Sequence, residues 1–169
     1  MFSTNEILDL AIKIEKNGEA VYREAVEMVS NPELASLLTW MADEEVTHAE
    51  WFSELKTQAA TAPHNPIAEE MSRELFKDLL GEKNFSHTDV DFTLVATVAD
   101  LLAIFIEFEK DSVMFYEMLM PFIDDDTALQ NLKKIIAEEN NHINKLQGLT
   151  GNDKSLVLDG DRLNRILQE

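Results

Sequence analysis

Apolar residues in this chain recur mainly at intervals of three and four, the spacing of one helix face, and runs of strict alternation that would signal strands are few. Ser3-Thr4-Asn5-Glu6 has the form of a capping box, with Phe2 and Ile7 placed to close a hydrophobic staple. The pattern predicts a first helix over about 4–29, with Leu8, Ala11, Ile12, Glu15, Glu19 and Tyr22 near one face. Ser30-Asn31-Pro32 breaks it, Asn31 being suited to cap and Pro32 to open a second helix that runs to about residue 60. Leu34, Leu38, Met41, Glu45, His48 and Phe52 share the inner face of that helix.

The next stretch is different. Residues 61–65 read as a proline-containing loop, 66–80 as a short amphipathic helix stopped by Gly81, and 84–91 as polar connection. A third and most apolar helix is expected over about 92–120, followed by an acidic turn at 121–127. A fourth helix then runs to about residue 147, with Gly148 as its stop. The pattern therefore predicts an all-α four-helix unit over 1–148, with a crossover at 61–91 and a tail at 149–169. That tail carries no functional signal.

Several inward positions are occupied by groups that a core excludes unless they are paired. Glu45-Val46-Thr47-His48 returns as Glu139-Asn140-Asn141-His142, 94 positions later, and the same offset relates Glu15 to Glu109 and Tyr22 to Tyr116. Residues three apart on a helix share a face, so each Glu-x-x-His aims a carboxylate and an imidazole at one point. Once Glu15 and Glu109 set the offset, composition gives an acid at 139 together with a histidine at 142 about once in two hundred. Two Glu-x-x-His units with one glutamate from each of two further helices is the general ligand pattern of di-iron and di-manganese carboxylate bundles.

Helix geometry brings these residues level. The midpoint of Glu15 and Glu45 is residue 30, and that of Glu109 and Glu139 is residue 124, both in predicted turns. At about 1.5 Å per residue each helix travels roughly 22 Å to the turn and its partner roughly 22 Å back. Joining the two hairpins about a pseudo-twofold axis requires a second-to-third-helix connection of about 40 Å, which the long linker can span.

Composition narrows the chemistry. At 169 residues and 45% hydrophobic, the chain suits one domain with a sizeable core. Cysteine is absent, which excludes disulfides, thiolate nucleophiles, iron–sulfur clusters and cysteine-bound zinc. A formal charge of −19 repels nucleic acid and anionic lipid and favours cations or basic partners, besides conferring solubility. The amino terminus lacks a secretory signal and no run approaches a membrane span, so a cytoplasmic protein is expected. No glycine-rich dinucleotide motif occurs.

Four glutamates and two imidazoles form a hard donor set suited to two iron ions, with manganese or zinc possible in their place. Two divalent cations would cancel the four carboxylate charges. Glu45 and Glu139 are expected to bridge, Glu15 and Glu109 to bind terminally, and His48 and His142 to give one nitrogen to each metal. Tyr22 and Tyr116 suit either orientation of a carboxylate or plain core packing. Glu19, one turn past Glu15 where the repeat has Val113, is a possible extra ligand or a rim carboxylate. Glu44 and Glu138 point about 100° away from their neighbours and should be solvated. Glu107 should face away from the site, His64 and His87 read as surface residues, and Trp40 and Trp51 as core.

Ala11-Ile12-Lys13-Ile14-Glu15 with Tyr22, Glu44-Glu45-Val46-Thr47-His48, Glu109-Lys110-Asp111-Ser112 with Phe115-Tyr116-Glu117, and Glu138-Glu139-Asn140-Asn141-His142 together resemble the erythrin domain of rubrerythrins. The likeness covers about residues 4–148. It implies a ferritin-like four-helix bundle, commonly dimeric, whose di-iron site reduces hydrogen peroxide, with Glu15, Glu45, His48, Glu109, Glu139 and His142 as ligands. Two features depart from the family pattern. The four-cysteine rubredoxin module is missing, and Ser112 or Val113 stands where the third helix of rubrerythrins carries a further, redox-exchanging glutamate. The expected activity is reduction of peroxide or dioxygen with electrons from a separate protein. The alternatives are iron handling without turnover, as in a ferroxidase, sensor or storage-like protein, and a scaffold that metal only holds together.

Overall fold

A computed structural model describes residues 4–59, 95, 97–123 and 125–150. They form four α-helices: α1 (Thr4–Met28), α2 (Pro32–Ala59), α3 (Val98–Leu119) and α4 (Asp126–Thr150), with a 3₁₀ turn at Met120–Phe122. The capping-box residue Ser3 with Phe2, the crossover with its short helix, and the tail beyond Thr150 lie outside the described residues.

The turn between α1 and α2 is built as the local sequence dictates. Asn31 Oδ1 accepts from the backbone amides of Glu33 and Leu34, each at 2.9 Å, and Pro32 opens the helix where no amide is needed. The three residues between the helices, 29–31, force an antiparallel pair. Between α3 and α4, Pro121 within the 3₁₀ turn ends the first helix, and Asp125 Oδ1 takes the Ala128 amide at 2.7 Å to start the second.

Two boundaries differ from the sequence expectation. Helix α3 starts at Val98 rather than near residue 92, because Thr97 and Asp100 form a reciprocal capping box. The apolar run before it hid that signal. Helix α4 starts at Asp126 and continues through Gly148 to Thr150. A Cβ at Gly148 would meet nothing within 4 Å, and its φ is not positive, so this glycine sits in ordinary helix. Leu149 then packs on the core and rewards the extra turn.

Side-chain contacts set the remaining directions. Tyr22 reaches Glu109 while Tyr116 reaches Glu15, so α1 and α3 run antiparallel. Trp40 meets His142 while His48 meets Glu138, so α2 and α4 do too. Helices α2 and α3 are therefore parallel, the arrangement the long predicted linker between them was expected to serve. The buried apolar residues form two clusters. One contains Met28, Leu34, Leu38, Leu101, Phe105 and Leu146, and the other contains Ile7, Leu8, Phe52, Phe115, Leu119 and Leu132. Between them lies a polar layer.

Candidate metal centre

At mid-height the bundle buries six ionisable side chains: Glu15 from α1, Glu45 and His48 from α2, Glu109 from α3, and Glu139 and His142 from α4, none more than 3% exposed. The (i, i+3) spacing on α2 and α4 sets each Glu and His on one inward stripe. They form two overlapping nests, Glu15–Glu45–His48–Glu139 and Glu45–Glu109–Glu139–His142. In each nest, one donor atom per residue lies within 4.8 Å of all the others. Glu45 and Glu139 belong to both.

Glu139 sits at the centre. Its Oε1 is 2.9 Å from His48 Nδ1 and its Oε2 is 2.9 Å from His142 Nδ1. Glu15 Oε2 lies 3.5 Å from the first imidazole nitrogen, and Glu109 Oε1 lies 3.3 Å from the second. Close as they are, both Nδ1 atoms, both Glu139 oxygens, Glu45 Oε1 and Glu109 Oε2 are buried without a hydrogen-bond partner of proper geometry. Buried polar atoms are almost always hydrogen-bonded. Six donors crowded together and not bonded to one another are aimed at common points between them, which is how ligand lone pairs are arranged for cations. The oxygen-rich set with one nitrogen per nest fits metal binding.

The rubrerythrin family model matches residues 6–150. The chain belongs to the rubrerythrin family. Among solved structures, it resembles a Thermotoga maritima protein assigned to the ferritin-like diiron-carboxylate class. The identity is 26%, the match covers 88% of this chain and 95% of that one, and the TM-score is 0.63. No curated protein matches the sequence. Family membership, the four-helix architecture and the carboxylate–histidine cluster together fit a di-iron protein.

Metal-free, this rubrerythrin site must find other positive charge. Burial, then Glu139, Glu15 and Glu109, push the Glu45 carboxyl well above its ordinary range. Burial and Glu139 likewise push Glu109 up to about 8, against the opposing pull of His142. Burial works to lower both imidazoles, but the contacts of His48 with Glu139 and Glu15 outweigh it and push His48 up to about 11. Glu109 and Glu139 do the same for His142, which rises to about 9. Glu139 moves down despite burial, because two imidazoles face it. Protons thus take the place that cations would otherwise fill.

The tyrosines bond across the bundle. Tyr22 Oη on α1 donates to Glu109 Oε1 on α3, and Tyr116 Oη on α3 donates to Glu15 Oε1 on α1. Each therefore orients the carboxylate of the opposite hairpin rather than the one on its own helix. Burial and the surrounding glutamates raise both phenols well above their ordinary value, so they stay protonated donors.

Other expectations fare variously. Glu19 lies at the rim, its Oε1 taking a 2.8 Å bond from Arg23, and it joins neither nest. Glu107 pairs with Lys110 at 2.7 Å, away from the site. His64 and His87 lie outside the described residues. Glu138 was expected to be merely solvated; although half-exposed, its Oε2 sits 3.1 Å from His48 Nε2, backing that imidazole from outside. Trp40 packs against the core as expected, but from a partly exposed position, edge-on to His142 with centroids 5.1 Å apart. Gly18 went unnoticed. A Cβ there would lie 3.2 Å from Glu45 Cδ and 3.0 Å from Phe108 Cε1, so the Glu45 carboxylate passes where a side chain would stand. Its signal was available: a glycine inside a helix, three residues after Glu15, needs a packing reason.

Proposed function

We propose that this protein is a di-iron oxidoreductase that reduces hydrogen peroxide, or dioxygen, with electrons supplied by a separate protein. The observation that carries the reading is the pair of nests sharing Glu45 and Glu139, with one imidazole in each. One nest would hold one iron through Glu15 and His48, the other a second through Glu109 and His142, and Glu45 and Glu139 would bridge. The bound pair supplies two electrons close to one another, the number that converts one peroxide and two protons to two waters.

The chain's own residues organise that chemistry. Tyr22 and Tyr116 hold Glu109 and Glu15 through protonated hydroxyls, leaving the other oxygen of each carboxylate for binding. Glu138 fixes the ring of His48 through Nε2, which leaves Nδ1 turned inward. The two apolar clusters above and below the polar layer keep it dry, so the charges around it act in a medium of low dielectric. These 169 residues hold no cysteine-bound redox centre, and this reading therefore assigns the supply of electrons to a separate protein. A homodimer in a reducing cytoplasm is consistent with the family and with the absence of cysteine.

The deciding experiment is anaerobic loading with Fe(II), followed by mixing separately with peroxide and with oxygen. Two ions per chain and fast oxidation by peroxide are the expected result. Oxidation by oxygen with iron accumulating beyond two per chain would replace this reading with iron handling, and stoichiometry of one or zero would sink it.

A further inference from the structure

The two imidazoles are backed differently on their outer sides. His48 Nε2 meets Glu138, whereas His142 is fully buried, its Nε2 lacks a hydrogen-bond partner, and the ring of Trp40 stands against it at an 88° angle. Trp40 is partly exposed, and Lys145 Nζ lies 4.8 Å from the centre of its ring. One indole thus reaches from the surface to a candidate metal ligand. The 94-residue repeat puts Lys134 at the equivalent place in the other hairpin, so the repeat does not reproduce this path there.

The surface around that indole is also unusual in its charge. Residues 34–42 on α2 and 140–150 on α4 contain no aspartate or glutamate, although overall composition would place about four acids in those twenty positions. Their exposed members include Ser36, Thr39, Asn141, Asn144 and Lys145. Just beyond, Asp43 and Glu138 restore the acidic character of the chain. On a protein of charge −19, this acid-free face with a lysine over a tryptophan is a place where an acidic molecule can approach closely.

We propose that the Trp40–Lys145 face is the port through which electrons enter, docking a small acidic one-electron carrier protein, with Trp40 as the residue that couples it to His142. The inference rests on the oxidoreductase reading above. Two carriers, each oxidised by one electron, restore what the reduction of one peroxide and two protons to two waters removes. Trp40 itself is neither oxidised nor reduced overall.

The test uses a reduced plant-type [2Fe–2S] ferredoxin as the acidic carrier. Iron-loaded protein is oxidised once with peroxide, and its re-reduction is followed by stopped flow with ferredoxin and, separately, with dithionite. Trp40→Leu and Lys145→Glu are expected to slow the ferredoxin reaction about tenfold or more while leaving the dithionite reaction and peroxide oxidation within about twofold. Trp40→Phe should restore most of the rate. Unchanged ferredoxin rates in both variants, equal slowing with dithionite, or no reduction of the wild type by ferredoxin overturns the port. Failure of peroxide and oxygen to oxidise the wild type at all instead removes the reading on which it rests. A second measurement needs no turnover: oxidised ferredoxin is titrated into the zinc-loaded full chain and the indole N–H resonances are watched. The Trp40 signal should shift and that of Trp51 should not. A Trp40 signal that moves with protein concentration alone would assign the face to a second copy of the chain and overturn the proposal.

Discussion

The inner and outer surroundings of the two imidazoles follow different rules. Inside, His48 and His142 are near-equivalents: each presents Nδ1 to one oxygen of Glu139 at 2.9 Å, and each has a second glutamate beside it, held by a tyrosine from across the bundle. Outside, one ring meets a half-exposed carboxylate and the other a tryptophan. The repeat is retained where four carboxylates must face the same two points, and it is lost one layer out. Equivalent ligands require equivalent geometry, but nothing in ligation requires the two sides to communicate with the surface in the same way.

The strongest way to break the inner equivalence is to remove its centre. Glu139→Ala, which takes a donor from both nests, is expected to reduce binding from two metal ions per chain to one or none in an Fe(II) or Mn(II) titration. It should also erase the stabilisation by metal, about 4 kcal/mol at a thousandfold excess over Kd. Glu45→Ala should act similarly, whereas Glu44→Ala should leave both stoichiometry and stabilisation intact. Equal effects of Glu45→Ala and Glu44→Ala would mean that α2 presents a different face.

Acidity should separate the loaded from the stripped protein. With Glu109 raised to about 8, His142 to about 9 and His48 to about 11, the metal-free native state binds more protons than the unfolded chain. The resulting stability is complete below the ordinary values of 4.5 for glutamate and 6.5 for histidine. It is lost as pH rises through the raised ones. Glu139, displaced downward, contributes the opposite way and loses its share only on acidification below 4.5. Urea midpoints of the stripped protein should therefore fall between pH 6 and 9, while metal affinity climbs because binding expels those protons. A stripped protein whose midpoint rises over that range would contradict the proton-filled site.

Smaller changes sharpen the comparison. Gly18→Ala forces Phe108 or the Glu45 carboxylate aside, and should cost about 1–3 kcal/mol by denaturant unfolding of the loaded form. Ser112, its counterpart in the repeat, should tolerate alanine better, since its hydroxyl bonds the Phe108 carbonyl of its own helix. Tyr22→Phe and Tyr116→Phe should each cost about 1–3 kcal/mol, the penalty for leaving a buried carboxylate oxygen without its donor. The two should match closely, and a large inequality would show that the halves are not equivalent inside. Smallest is Glu138→Gln, expected to change stability by no more than about 1 kcal/mol because the carboxylate is 48% exposed. Its effect should appear as a weaker first ion or second ion, but not both.

What the sequence could disclose depended on range. The Asn31-Pro32 turn rests on contacts within three residues, and the six inward ionisable groups on a repeat that any reader of the chain can count. The beginning of α3 was obscured because, in the sequence, Thr97 and Asp100 sit inside one long apolar stretch. Gly148 read as a stop because glycine usually is one, but its place in the helix is decided by Leu149 finding the core. Glu138 and Trp40 owe their roles to a register between helices from different hairpins, and Gly18 to one set both by its own hairpin partner and by α3. That register is set by how four helices pack, and spacing along any one of them does not contain it.

Each nest draws three of its residues from one hairpin and one from the other: Glu139 completes the set on the first, and Glu45 completes the set on the second. Neither half of the molecule owns a whole binding site, so the cations would act as a clasp between two arms that also share the apolar clusters above and below the site. A chain severed between residues 60 and 94 would consequently yield fragments whose reunion the ion favours, adding metal availability to the apolar contacts that draw them together.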